Sequence, residues 1–169
     1  LNTKLDGSFP SHEPNPLEEK NTSELQKTVR EQHADIGISF DGDADRVFFI
    51  DEHGQRIPSD IITCLLAKEE LQQNPGAPII FDVRSSRAVK ETVEEAGGKP
   101  FMCRVGHAFL KELIRKNNGA FGGEFSGHFY FKENFFSDSG VIAALKVIGI
   151  LCRSDTTLSA LVKPFQRYF

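Results

Sequence analysis

Asp41, Asp43 and Asp45 stand at alternate positions in the run Asp41-Gly-Asp-Ala-Asp-Arg46, with only small residues between them. Gly42 and Ala44 let the backbone curl, so the three carboxylates can converge on one point. Anions that close repel one another unless a cation lies between them. Carboxylate oxygens are hard ligands and select magnesium or calcium over zinc. Two other readings compete. Asp and Gly are common turn formers, so the run could be a solvated hairpin turn. The spacing also partly fits an EF-hand calcium loop with Glu52 at its twelfth position, but Arg46 occupies the sixth, where that loop needs glycine. The flanks also read as strands rather than helices. Arg46 beside the carboxylates suits a site that receives a phosphate, because guanidinium clamps phosphate oxygens.

A second run, Gly122-Gly-Glu-Phe-Ser-Gly-His128, sets polar side chains between two apolar segments. In an extended chain Glu124 and Ser126 face the same side. A carboxylate and a hydroxyl together can grip adjacent sugar hydroxyls, and the glycines let a ligand approach the backbone. The competing reading is a glycine-rich hairpin with Glu124 exposed and His128 packed. His107 precedes a helix, where a cap or a packing role competes with a ligand role. Arg84 and Arg87 follow a strand, and ligands of parallel sheets bind beyond the carboxyl ends of strands; a solvated helix start is the alternative. His12 lies in a proline-rich stretch and is read as incidental.

The elements that must position these residues follow from periodicity. Residues 1–20 carry Gly7, Pro10, Pro14 and Pro16 and read as extended or looped. Asn21-Thr-Ser-Glu24 offers a capping box for a helix over 22–33. Strands are predicted at 36–40 and 47–50, a helix from Pro58-Ser59 to Gln73, and a strand at 78–83. Val89, Val93 and Ala96 mark a helix stopped by Gly97-Gly98. A strand at 99–105, a helix through Phe109, Leu110, Leu113 and Ile114, and strands near 120–125 and 128–132 follow. The helix 141–151 is apolar on most of its surface and is expected to be buried. A short helix at 157–162 precedes Pro164. The alternation of strands and helices implies a layered α/β fold with a mixed, mostly parallel sheet. A domain boundary falls near 54–58.

The chain has 169 residues, 39% hydrophobic and 26% charged, the make-up of an ordinary globular protein. A net charge of -4 argues against nucleic acid as a partner, which needs a basic face. No apolar run reaches the roughly 18 residues of a membrane helix. Cys64, Cys103 and Cys152 form no CxxC pair and are expected to be reduced, buried thiols of a cytoplasmic protein. The opening Leu1 suggests a sequence cut from a longer one.

Asp-Gly-Asp-Ala-Asp-Arg (41–46), Arg-Val-Gly-His (104–107) and Gly-Glu-Phe-Ser-Gly-His (123–128) occur in the order and approximate spacing of the α-D-phosphohexomutases. The chain most resembles the bacterial phosphomannomutase/phosphoglucomutase branch. Asp6-Gly-Ser-Phe-Pro10 through Pro14-Asn-Pro16 is also similar to the stretch upstream of that family's metal loop. The likeness implies that residues 1–56 are the later part of the family's domain 2 and 57–169 its domain 3, with a linker starting at the end. The same likeness implies that the serine-bearing domain 1 and the phosphate-binding domain 4 lie outside this sequence.

The resemblance further implies Mg2+ on Asp41, Asp43 and Asp45, with Arg46 near the transferred phosphoryl group. Glu124, Ser126, His107 and Arg84 would contact a mannose or glucose 1- or 6-phosphate, and His128 would assist proton transfer. A phosphoserine would pass its phosphoryl group through a hexose 1,6-bisphosphate, and this chain by itself would be inactive. Two departures stand out: Arg84 replaces the lysine frequent in relatives, and Phe125 replaces methionine. A stand-alone module that binds magnesium and sugar phosphate without catalysis is the alternative.

Overall fold

A computed structural model of the chain describes every residue except Thr3, Leu5 and Phe169. Helix α1 (Ser23–Gln32) packs on a sheet formed by β1 (Ile36–Phe40), β2 (Val47–Asp51) and β3 (Arg56–Ile57), all antiparallel. The capping box expected at Asn21–Glu24 does not form. A 3-10 turn over Glu19–Thr22 runs straight into α1, and the Thr22 hydroxyl donates back to Glu19 O at 2.9 Å instead. With the backbone already turning before Ser23, Thr22 is not in the extended conformation a capping residue adopts.

The rest of the chain builds a second sheet from β4 (Pro78–Asp82), β5 (Lys99–Cys103), β6 (Phe121–Gly123), β7 (Phe129–Phe131) and β8 (Ser137–Asp138). Its order is β5-β4-β6-β7-β8. The sheet is mixed: β4 pairs parallel with β5 and β6, while β7 pairs antiparallel with β6 and β8. The parallel half is built from β-helix-β crossovers, and the antiparallel half from a hairpin and a short return strand. The strands expected at 99–105, 120–125 and 128–132 are shorter than anticipated, because their ends belong to the loops that carry the polar residues.

Side chains alternate across this sheet. Ile79, Phe81, Phe121, Phe129 and Phe131 face one core with α2 (Ser59–Gln73), α3 (Arg87–Glu95) and α5 (Gly140–Arg153). Ile80 and Tyr130 face the other, under α4 (His107–Lys116). The result is a three-layered helix–sheet–helix arrangement. Val47 and Phe49 of β2 belong to the larger core, as do Leu158 and Val162 of α6 (Leu158–Val162). The two sheets therefore share one apolar interior.

Two expectations fail. Helix α5 is not buried throughout: Ala143, Ala144 and Val147 face the core, whereas Val141 and Leu145 are 49% and 63% exposed. Its apolar face is wider than the surface it packs on. Of the three cysteines, Cys64 and Cys103 are buried but Cys152, in the last turn of α5, is exposed. Burial pushes the Cys64 thiol up to about 12, so it stays neutral and inert. Among the described residues no helix is long and apolar enough to cross a membrane.

Candidate active site

The aspartate loop is the turn between β1 and β2. It closes through Ala44 N–H donating to Asp41 O at 3.4 Å, with Ala44 in the left-handed region at φ 60°. Asp41 is buried, Asp45 half-buried and Asp43 exposed. Their carboxylate oxygens lie within 4.8 Å of one another. Arg46 binds Asp41 twice, through its backbone N–H at 3.1 Å and its Nε at 2.6 Å. Burial works against ionisation of Asp41, but these bonds more than offset it, and its carboxyl titrates below the usual range. Asp45 goes the other way. Burial, a hydrogen bond shared with Asp41 and the nearby charges of Asp41 and Asp43 raise it, with His128 pulling against them. A lone solvated turn does not concentrate charge in this way. The donor set fits a hard divalent cation, which would relieve the repulsion.

The EF-hand reading fails on geometry. Glu52 accepts hydrogen bonds from Ser159 N and Ser159 Oγ at the start of α6. It sits at the far end of β2 from the loop and holds a helix.

The segment 124–128 is a turn rather than an extended strand. Gly127 N–H donates to Glu124 O at 3.0 Å, and Gly127 has φ 92°. A side chain at 127 would collide with Phe48 at 2.7 Å, so glycine is required twice over. Glu124 and Ser126 therefore meet not by alternation but around His128. His128 Nδ1 lies 3.1 Å from Glu124 Oε2 and 2.9 Å from Ser126 Oγ. Glu124 is 2% exposed, contrary to a merely exposed carboxylate, and also accepts from Tyr130 OH at 2.8 Å. Burial opposes its charge, yet the bonds from His128 and Tyr130, together with the Gly106 amide, hold it below the usual range. Burial likewise opposes the charge on His128, but Glu124, Asp45 and Asp138 outweigh it and raise its pKa.

The two loops are joined. Arg46 and His128 form an antiparallel bridge, and Val47 N–H donates to Gly127 O at 3.1 Å. His128 Nε2 consequently stands 3.5 Å from Asp45 Oδ2. The start of α5 backs the loop: Gly140 N–H donates to Ala44 O at 3.1 Å, and Ser139 caps the helix by accepting from Ile142 N–H. The positive helix end thus faces the acidic turn. The loop holding Arg104 to His107 approaches Glu124 through Gly106, and His107 is exposed at the first position of α4. Arg84 lies over the Phe125 ring at 5.7 Å, beside the turn. Arg87 is elsewhere, on α3, 4.0 Å from Glu91 and well exposed. His12 Nδ1 lies 2.8 Å from Glu13 O, and the residue lines a cavity of about 580 Å³ between the N-terminal segment and β1.

Comparison with known proteins completes this picture. Residues 58–168 match the model of phosphoglucomutase/phosphomannomutase, alpha/beta/alpha domain III. Residues 1–54 match that of alpha/beta/alpha domain II. The chain belongs to the phosphoglucomutase/phosphomannomutase family. It is 46% identical over 158 residues to a phosphomannomutase of Escherichia coli K12, covering 94% of this chain and 35% of that protein. It is 42% identical over 164 residues to phosphohexose mutases of Xanthomonas campestris, covering 97% and 37%. A crystal structure of a phosphoglucomutase/phosphomannomutase family protein from Burkholderia thailandensis superposes with a TM-score of 0.95 at 36% identity, covering 100% of this chain and 37% of that one. The chain spans little more than a third of the length of these relatives.

Several residues of this cluster escape sequence reasoning. Asp138 gathers with Asp45 and His128, their ligand atoms also within 4.8 Å, and pairs with Lys111 Nζ at 2.7 Å. Nothing in the run Phe-Ser-Asp-Ser-Gly marks Asp138 as convergent. Tyr130 looks like any core aromatic until its hydroxyl is placed. Asn15 Oδ1, 3.4 Å from Arg46, comes from 31 residues away. The aspartate loop and the run from Glu124 to His128, with its flanking glycines, are the parts of this cluster that the sequence signals.

Proposed function

We propose that this chain is the metal-loop and sugar-loop portion of a phosphomannomutase/phosphoglucomutase. In it residues 1–56 are the end of domain 2 and residues 57–169 are domain 3. The whole enzyme interconverts a mannose or glucose 1-phosphate and 6-phosphate through a phosphoserine and a 1,6-bisphosphate. The serine and the main phosphate-binding groups are supplied by the rest of the longer protein. One observation carries the reading: the bridge between Arg46 and His128 sets three carboxylates and a guanidinium against a carboxylate, a hydroxyl and an imidazole in one place. The names of the relatives support it.

Asp41, Asp43 and Asp45 are suited to hold magnesium, which when bound supplies a Lewis-acid charge for phosphoryl oxygens. Arg46, tethered by Asp41 at Nε and by Asn15 at one terminal nitrogen, is held beside the carboxylates, where its charge would offset that of a transferred phosphoryl group. Glu124, held by Tyr130, His128 and the Gly106 amide, keeps its negative charge, and a sugar hydroxyl would be a further donor to it. Ser126 and His107 add further contacts to the sugar, and Arg84 to an anionic group. His128 holds a proton at Nε2, facing Asp45, where it can be passed to or from a hydroxyl. Phosphoryl transfer depends mainly on positioning and charge, which such a set provides.

The test is a coupled assay on the longer polypeptide carrying this segment, with mannose 1-phosphate and glucose 1-phosphate. Asp43→Asn is expected to lower kcat by about 100-fold and weaken magnesium binding by calorimetry. The 169-residue chain by itself is expected to turn over neither sugar. Efficient turnover by that chain defeats the reading, and binding without turnover by the longer polypeptide favours a non-catalytic module.

A further inference from the structure

Asp82 ends β4 with no exposure to solvent, and its carboxylate is shared among three parts of the site rim. Oδ1 accepts from Arg84 N–H at 2.9 Å and from Ser85 Oγ at 3.4 Å. Oδ2 accepts from the Arg84 guanidinium, at 2.7 Å from one terminal nitrogen and 3.3 Å from Nε. The same oxygen accepts from Phe125 N–H at 3.0 Å, across 43 residues of sequence. The first two contacts are those of any Asp that closes a turn at a strand end. The last two are not. They tie a cationic side chain and the backbone of the Glu124–His128 turn to one buried atom. Arg84 in turn lies over the Phe125 ring, closing a triangle of carboxylate, guanidinium and aromatic.

Burying a carboxylate is costly, and a well-packed apolar residue serves stability as well or better. Stability alone does not account for a charge here; geometry does. The Asp82 bond fixes Phe125, and Phe125 follows Glu124 directly, so the Glu124 backbone is set by a strand end 43 residues before Phe125. The other end of the Arg84 loop is held the same way, with Ser86 N–H donating to buried Asp60 at 2.9 Å.

We infer that Asp82 is a positioning residue: it locks the Arg84 guanidinium and the Glu124–His128 turn into a single arrangement that recognises a sugar phosphate. The inference rests on the proposed function for its ligand, but not for its geometry. Asp82→Asn keeps the size of the side chain and loses the charge, so both ties weaken together: the place of Oδ2 is taken either by an amide nitrogen, which accepts neither bond, or by a neutral amide oxygen, a poorer acceptor for both.

The test uses the 169-residue chain, with glucose 1-phosphate as the probe and nuclear magnetic resonance as the readout. In Asp82→Asn, exchange of the Phe125 amide is expected to rise about tenfold or more, and glucose 1-phosphate affinity to fall about tenfold. Magnesium affinity stays within about twofold of wild type, which a general loss of structure does not allow. Arg84→Ala loses part of that affinity, and the double variant loses less than the product of the two single losses, since both single variants break the shared Asp82–Arg84 tie while only Asp82→Asn also releases Phe125. Losses that multiply independently, or an unchanged affinity in Asp82→Asn, overturn the proposal. If the wild-type chain binds no glucose 1-phosphate, the functional reading fails; Asp82 is then judged on exchange alone, and an unchanged Phe125 amide overturns its role. Should Asp82→Asn not fold, Arg84→Ala decides the matter: its Phe125 amide stays protected while affinity falls, and an unchanged affinity sinks the idea.

Discussion

The aspartate loop and the Glu124–Tyr130 hairpin lie side by side but are stabilised in opposite ways. In the loop, Arg46 hydrogen-bonds Asp41 and stands 3.9 Å from Asp45, yet Asp43 is exposed and Asp45 is pushed toward its neutral form. In the hairpin, Glu124, His128 and Tyr130 satisfy one another, and Tyr130 is pushed up by its burial beside that carboxylate. One region stores unrelieved charge, the other is preorganised before any ligand arrives. Binding a cation should therefore change the loop and leave the hairpin alone.

The comparison can be broken most severely at Gly127. Gly127→Ala places a methyl group against Phe48 and forces a left-handed backbone on alanine, and is expected to cost about 2–4 kcal/mol in urea unfolding. Tyr130→Phe removes one donor from buried Glu124 and is expected to cost about 2 kcal/mol, with the fold retained. If it costs nothing, the hairpin is not the self-satisfied unit described.

The far end of β2 offers a pH test. Glu52 is 17% exposed along its side chain. Burial there favours the neutral acid, but hydrogen bonds from Ser159 and Thr157 win and hold its pKa near 2, against an ordinary 4.5. Its contribution is thus complete above pH 4.5 and disappears as pH falls toward 2. Glu52→Gln is expected to cost about 1–2 kcal/mol at pH 7, allowing for solvent screening, and nearly nothing at pH 2. Denaturant midpoints measured at both values check this. The smallest effect belongs to the loop itself. Ala44→Gly should change stability by less than about 0.5 kcal/mol, because relief of the left-handed backbone offsets the added freedom of the unfolded chain. A large gain there would mean that the loop is more strained than its single positive φ indicates.

The same contrast explains what was legible in the sequence. The aspartates are close neighbours in the chain, so their spacing alone brings them together. Helices α1, α3 and α4 carry clear helical spacing, α2 is marked by its start at Pro58-Ser59 and its stop at Pro75-Gly76, and β1, β2 and β4 show as short runs of β-branched and aromatic residues. The two-residue strands β3 and β8 do not, since a pair of residues has no period and its partner decides its state. The hairpin was recognised as a polar turn, but its geometry depends on Phe48 and Gly127 meeting across two sheets. Asp138, Tyr130 and the bond of Glu52 to Ser159, 107 residues distant, are products of tertiary packing that no local pattern encodes. The exposed face of α5 misled for a related reason: apolar composition reports a capacity for burial, not the area available.

The bridge between Arg46 and His128 also has a mechanical meaning. The backbones of the two ligand-facing turns are stitched together and share a hydrophobic interior, so they cannot open like jaws without tearing the Val47–Gly127 bond. Any swinging motion of the elements around them must hinge outside these residues, leaving the joined turns as a fixed anvil.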